Sequence, residues 1–327
     1  MQNQQTTEGI SSYPLPDNTR DYPCNIHKLI YYFFMEIEYF PEPCGFNGLH
    51  KPMPKKRQNT QKKHLSLLVY PLLVLVMIIV QTGSVHAAPL TMNEALTKAS
   101  AQRTLSQRLV KAYIQVGAHI NEKKAMLQLG HSIRQFEEAQ QELLSFAPNA
   151  ETREELAKVE ATWKKLKAIL LETPSLSHAR NLMPLSDALL QACNNVFLLI
   201  EKQANRDAAE LIDLASSQSM LSQRITKFYV AHFWGIRDPQ VTAGFERSIQ
   251  EFEQGLNKLS TTGENTEEIS NALRRVQSHW NFSKSGIGNL DGQNYAPMAV
   301  AVTTETILRQ MDDITGMYKT LFDKSGR

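Results

Sequence analysis

The stretch ASAQRTLSQRLVKAY, residues 99–113, returns as ASSQSMLSQRITKFY, residues 215–229. Nine of the fifteen aligned positions are identical, and the offset is constant, which identifies an internal duplication. The register continues downstream. Ser132-Ile133 and Phe136-Glu137 match Ser248-Ile249 and Phe252-Glu253 at the same offset, and Val159 and Trp163 match Val276 and Trp280 after a slip of one residue. Pro184 and Pro297 then open the last segment of each copy.

Each copy reads as four helices. In the first they run near 91–118, 121–146, 151–171 and 180–205; in the second near 207–235, 239–260, 265–285 and 296–323. Leu105, Leu109, Ala112 and Val116 make an apolar stripe at helical spacing, as do Met126, Leu129, Ile133 and Phe136. Turn chemistry separates the segments at Ala147-Pro148-Asn149, Thr173-Pro174-Ser175, Thr262-Gly263-Glu264 and Asp291-Gly292, and no segment alternates as a strand does. The expected fold is all-α, two tandem antiparallel four-helix bundles. Residues 201–209 hold no Gly or Pro, so the last helix of copy one is expected to run into, or nearly into, the first helix of copy two and to stack the bundles end to end. A sharp turn at Asn205-Arg206-Asp207, placing them side by side, is the alternative.

The part before the repeats has a different character. Lys55, Lys56, Arg57, Lys62 and Lys63 precede the apolar run LSLLVYPLLVLVMIIV, residues 65–80, and QTGSVHAA, residues 81–88. A basic region, an apolar core and a small-x-small ending are the three parts of a secretory signal, with cleavage expected after Ala87. The run is short for a membrane span, although an uncleaved anchor through residues 65–82 is the alternative. Either way the positive-inside rule puts the helical part in the periplasm. The organisation expected is 1–52 a mis-called extension ahead of a start at Met53, 53–87 the signal, 88–205 copy one and 206–327 copy two.

Composition removes several function classes. From Ala88 onward there are 27 Lys/Arg and 27 Asp/Glu, a balance that argues against nucleic acid as partner, because phosphate binding needs a clustered positive field. Cys193 alone follows the apolar run; it sits among Leu189, Leu190 and Val196 and reads as a buried, inert thiol. There is no CxxC, CxxCH or HExxH pattern, and His119, His131, His178, His232 and His279 are scattered, so neither metal nor cofactor is expected. Asp312-Asp313 and Glu137-Glu138 are paired carboxylates, but the sequence places no nucleophile or cleft beside them, and an enzyme is not expected. Trp163 and Trp280 recur as core anchors would. Phe228, Tyr229, Phe233 and Trp234 form an aromatic patch, core if buried and a partner surface if exposed.

The chemistry of the repeat lies in Arg103, Ser106, Gln107, Arg108 and Lys111, and in Ser219, Ser222, Gln223, Arg224 and Lys227. On a helix Ser100, Arg103, Gln107 and Lys111 fall on one stripe, two cations with hydroxyl and amide donors, while Arg108 lies on the other flank with Leu105 and Ala112. Such a set suits a small planar oxyanion, since guanidinium donates a fork matched to two oxygens. The plain alternative is that these residues are solvated, pair with Glu, or glue helices together.

QRTLSQRLVKAY, with Ala99-Ser100 ahead of it, resembles the opening of the PilJ-type, or NarX-like, N-terminal sensor domain of type IV pilus methyl-accepting chemotaxis transducers, and ASSQSMLSQRITKFY resembles it in its second half. The resemblance covers about residues 90–325 as two domains and is specific at the Ser-Gln-Arg core. It implies a periplasmic four-helix bundle, with nitrate or nitrite held between the first helices of two protomers. Arg103 maps to the anion ligand, Ser100 and Ser216 stand where the family has glycine, and Ser219 stands where the second arginine would be. An anion would therefore use Arg103 with Lys111, or Arg103 from two chains of a homodimer. No kinase or methyl-accepting region follows Asp323-Lys324, so the expectation is a non-catalytic sensory accessory that binds a small oxyanion and acts with a membrane sensor or chemosensory protein. The rival is a structural or interaction module with no small ligand.

Overall fold

The computed structural model describes residues 90–204, 209–287, 290 and 296–325, all in one unit. The extension, the signal and the helix join at Asn205-Arg206-Asp207 lie outside the described residues. Among the described residues eight helices follow one another: α1 Met92–Gly117, α2 Glu122–Phe146, α3 Ala150–Leu170, α4 Leu176–Ala204, α5 Ala209–Phe233, α6 Pro239–Thr261, α7 Glu267–Ile287 and α8 Pro297–Ser325. Each lies within a few residues of its sequence expectation, and the described residues contain no strand. The protein is all-α.

Local chemistry sets the helix ends. Thr91 and Glu94 form a reciprocal capping box at the start of α1. Asn149 accepts from the Thr152 amide at the start of α3, and Pro239 occupies the first turn of α6. The ends of α1 and α5 close alike. His119 and Gly235 take positive φ, 55° and 101°, while Ile120 N–H reaches back to Gln115 O and Ile236 N–H to Ala231 O, both at 2.9 Å. That is the Schellman closure, met once by glycine and once by histidine.

Within the first set α1 packs on α2 and α4, α4 also packs on α3, and α2 touches α3 lightly; α5, α6, α7 and α8 repeat this pattern. The recurring tryptophans are core anchors in both: Trp163 stacks on Phe136 at 4.5 Å and Trp280 packs on Phe252 at 4.6 Å between centroids. Pro184, by contrast, lies inside α4, whereas Pro297 opens α8, so the two prolines are not counterparts.

The two sets meet along α1 and α5. Arg103 lies by Ser216, Lys111 by Gln223 and Gly117 by the Trp234 ring, so the two helices run parallel, side by side. This corrects the end-to-end expectation in favour of the side-by-side alternative: α5 runs alongside the first set instead of extending α4 away from it. Arg103 pairs with Asp213 and Ser216, and Lys111 with Gln223, across the contact, which the apolar pattern alone could not reveal. Among the described residues α4 alone is long and apolar enough to cross a membrane. Its Leu182, Leu189, Val196 and Ile200 are buried in the bundle, the place of a core helix.

A buried charge exchange between α1 and α5

The stripe read from the sequence is buried rather than open. Arg103, Gln107 and Lys111 are at most 3% exposed, as are Gln223 and Lys227, while Ser100 is half-buried. These residues face the other half of the molecule because two polar stripes pack against each other, each supplying the partners that solvent otherwise would.

The lysines cross over. Lys111 on α1 donates to Gln223 Oε1 on α5 at 2.6 Å and to Glu305 Oε2 on α8 at 2.9 Å. Lys227 on α5 donates to Ser186 Oγ at 2.8 Å and to Asp187 Oδ1 at 2.9 Å, both on α4. Each of these two lysines thus finds its carboxylate in the other set. The neighbouring arginines follow: Arg108 pairs with Glu305, and Arg224 lies 3.8 Å from Asp187. Burial pushes both ammonium groups down, to about 8, although the facing carboxylates work to hold them up. Burial likewise works to raise the Glu305 carboxyl, but Lys111 and Arg108 overcome it and hold it at about 2.

Arg103 makes the other crossing. Its guanidinium donates to Asp213 Oδ1 at 2.6 Å and Ser216 Oγ at 3.0 Å on α5, and to Asn194 Oδ1 at 3.3 Å on α4; Phe197 lies beneath it, 3.8 Å to the ring centroid. Ser100 Oγ stands at 3.5 Å. Gln107 turns to the Ser186 carbonyl at 3.0 Å, and its Oε1 has no hydrogen-bond partner among the described residues. Ser106 and Ser222 bond to backbone carbonyls three residues back in their own helices, and each also accepts from the neighbouring glutamine. The expected anion set therefore does not converge on one point: Arg103 is bound to Asp213 and Lys111 to Glu305, carboxylates standing where an oxyanion would.

Residues 201–314 match the family model described as type IV pili methyl-accepting chemotaxis transducer N-term, PilJ. That stretch is similar to the PilJ family. The match runs from the end of α4 through α5, α6, α7 and most of α8, roughly a third of the chain. It takes in Ser222, Gln223, Arg224 and Lys227 and leaves α1 to α3 outside. No curated protein and no solved structure matches the chain.

Several residues that build this contact were missed in the sequence: Glu305, Asp187, Asp213, Asn194 and Ser186. A signal was there for two. Asp187 and Glu305 are acids set among apolar and hydroxyl residues on the last helix of each copy, where a solvated acid is out of place. Asp312, set aside for want of a cleft, lines a cavity of about 510 Å³ between the sets, together with Ser100, Arg108 and Ser216. The aromatic patch divides: Phe228 and Tyr229 are core, Trp234 packs against Gly117, and Phe233 is 38% exposed. Among the described residues no cluster of His, Cys, Asp and Glu could hold a metal.

Proposed function

We propose that the chain is a non-catalytic chemosensory module that works in the periplasm beside a membrane signalling partner. Its output is a change in how α1 packs on α5. The observation that carries the reading is the crossed pair of buried lysines in that contact, Lys111 with Glu305 and Lys227 with Asp187. A helix pair held by buried ions has few alternative packings, and exchanging one counter-ion shifts the balance between them. The PilJ match over residues 201–314 supports a sensory role.

For the input, the leading reading is a small oxyanion, nitrate or nitrite first, at Arg103, with Ser100, Gln107 and Lys111 close on the same stripe and Ser106, Arg108, Ser222, Gln223, Arg224 and Lys227 as supporting residues. Its support is that Arg103 already holds a planar carboxylate, Asp213, which the ligand would displace. The first helices of both sets pack together in one chain, so this reading does not need a homodimer. A second reading, an interaction module with no small ligand, is favoured by the same ion pair, because Arg103 is 3% exposed and already neutralised. Calorimetry with nitrate and nitrite on the native chain, Asp213→Asn and Arg103→Ala separates the two. The oxyanion reading requires binding that strengthens in Asp213→Asn and vanishes in Arg103→Ala. No heat from any folded variant leaves the partner-protein reading standing.

A further inference from the structure

The pseudo-symmetry of the two sets breaks in charge around Arg103. On the first helices Thr97, Ser100 and Arg103 correspond to Asp213, Ser216 and Ser219. On the last helices the crossed lysines set Asp187 opposite Glu305, which sets Asn194 opposite Asp312 and Phe197 opposite Thr315. Hydrogen bonding agrees: Arg103 donates to Asn194, and its counterpart Ser219 donates to Asp312 Oδ1 at 2.6 Å. One half therefore pairs a guanidinium with an amide, and the other pairs a hydroxyl with a carboxylate.

Arg103 fills a cage made by Asp213, Ser216, Ser100, Asn194 and the Phe197 ring. The corresponding cage is Thr97, Ser100, Ser216, Asp312 and Thr315, and no side chain among the described residues supplies it with a guanidinium. All five of its residues line the 510 Å³ cavity instead. That volume is within the range of small-molecule sites. Leu96, Ile212 and Leu308 add apolar wall for an aliphatic tail. The cations on the wall have partners: Arg108 is bound to Glu305, Lys98 lies 2.5 Å from Glu142, and Lys319 donates to Thr97 Oγ1 at 2.6 Å. Glu138 and Glu201 add two further acids to the wall.

We infer that this cavity binds a small guanidinium-headed organic cation, its head against Asp312 in the place that Arg103 fills in the other half. A planar fork of donors suits a carboxylate flanked by hydroxyl acceptors, and the protein makes that same cage around its own arginine. Burial pushes the carboxyls of Asp312 and Glu201 up, the state of an acid held in a protein wall with less cationic compensation than it could use. The inference goes beyond the oxyanion reading, which concerns Arg103.

Titration calorimetry on the full chain tests it, with agmatine, L-arginine and tetramethylammonium as probes. Saturable binding of agmatine, L-arginine or both is expected, at least tenfold weaker in Asp312→Asn. In Ser219→Arg the introduced guanidinium should take the cage, so agmatine binding is lost while circular dichroism and Tm show a folded protein. Should Ser219→Arg fail to fold, Asp312→Asn alone decides. No saturable heat from a folded native chain overturns the inference, as do affinities unchanged in Asp312→Asn or tetramethylammonium binding as tightly as agmatine.

Discussion

Glu305→Gln removes one charge and almost no volume at the centre of the α1–α5 contact. In the native chain Glu305 accepts from Lys111 at 2.9 Å and from Arg108, with side-chain exposures of 10% for the acid and 1% for the lysine. Its carboxyl sits at about 2 against an ordinary 4.5. A carboxyl lowered in the folded state stabilises it fully above the unfolded value, and the contribution fades as pH falls from 4.5 towards 2. Across that gap, linkage gives about 3 kcal/mol at neutral pH. Glutamine resembles the protonated acid, so Glu305→Gln should cost a similar amount, the lower end of the roughly 3–5 kcal/mol seen when a buried pair loses one partner. For a helical region of this size that is about 6–12 °C in Tm.

The pH dependence is the sharper test. In acid the native chain protonates Glu305 itself, so its advantage over the variant shrinks below pH 4.5. On the alkaline side Lys111 is already pushed down to about 8 by burial, with Glu305 holding it up. Its folded value is below the unfolded one, so releasing the proton favours the folded state as pH rises through 8. Without Glu305 the lysine discharges sooner and sheds the cost of a buried unpaired charge. Urea unfolding followed by far-ultraviolet circular dichroism, native against variant from pH 3 to 9, should give a stability difference that is largest near neutrality and falls towards both ends. A difference below about 1 kcal/mol, flat over that range, is what a solvent-screened pair gives and would refute the buried-exchange reading.

Three further outcomes follow from the packing. His119 closes α1 at φ 55° where Gly235 closes α5, so His119→Gly should raise stability by about 0.5–1 kcal/mol in the same urea assay, offset in part by the exposed contact to Glu122; a loss would mean that contact outweighs backbone strain. A Cβ on Gly117 would run into the Trp234 ring and meet Pro174 Cβ at 3.0 Å, so Gly117→Ala should cost about 1–3 kcal/mol, less than additively with Trp234→Ala; simple additivity would separate the two residues. Cys193 is fully buried and its thiol pushed up by burial, so a disulfide reagent should label it only after unfolding; rapid native labelling would show that α4 opens.

The helices were legible because their signals are local. Apolar spacing, the turn dipeptides and the repeated Tyr113 and Tyr229 are all written within a few residues of each other. The stripe of Ser100, Arg103, Gln107 and Lys111 was legible as a stripe, but not its surroundings. Helical periodicity separates polar from apolar faces; it does not separate a polar face in water from one pressed against a second polar face. The partners that decide this, Asp213, Gln223 and Glu305, lie 110 to 194 residues away along the chain. The side-by-side arrangement was illegible for a related reason. A join without Gly or Pro reads as continuous helix, and only the matching of Lys111 to Glu305 and Lys227 to Asp187 across the sets favours folding back. Pro184 misled because proline usually marks a helix start, whereas α4 begins at Leu176 and carries the ring on its exposed side.

Joining two related sets in one chain changes what their interface can contain. In a symmetric pair of identical chains each substitution appears twice, so an arginine facing the axis always meets a second arginine, and a carboxylate a second carboxylate. Here the two sides vary independently. Arg103 and Asn194 stand on one side where Ser219 and Asp312 stand on the other, and Asp213 answers Arg103 where Thr97 leaves its counterpart unanswered. The crossed lysines show the opposite case, a cation and acid kept in both halves because each half supplies the other's counter-ion. Lys111 and Lys227 thus hold the two sets in register while the neighbouring turn, freed from that duty, has exchanged a filled cage for an open one. The same division predicts where change is tolerated. Substitutions at the exposed Thr97 should leave the urea midpoint nearly unmoved, while any loss of charge at Lys111, Lys227 or Glu305 should shift it.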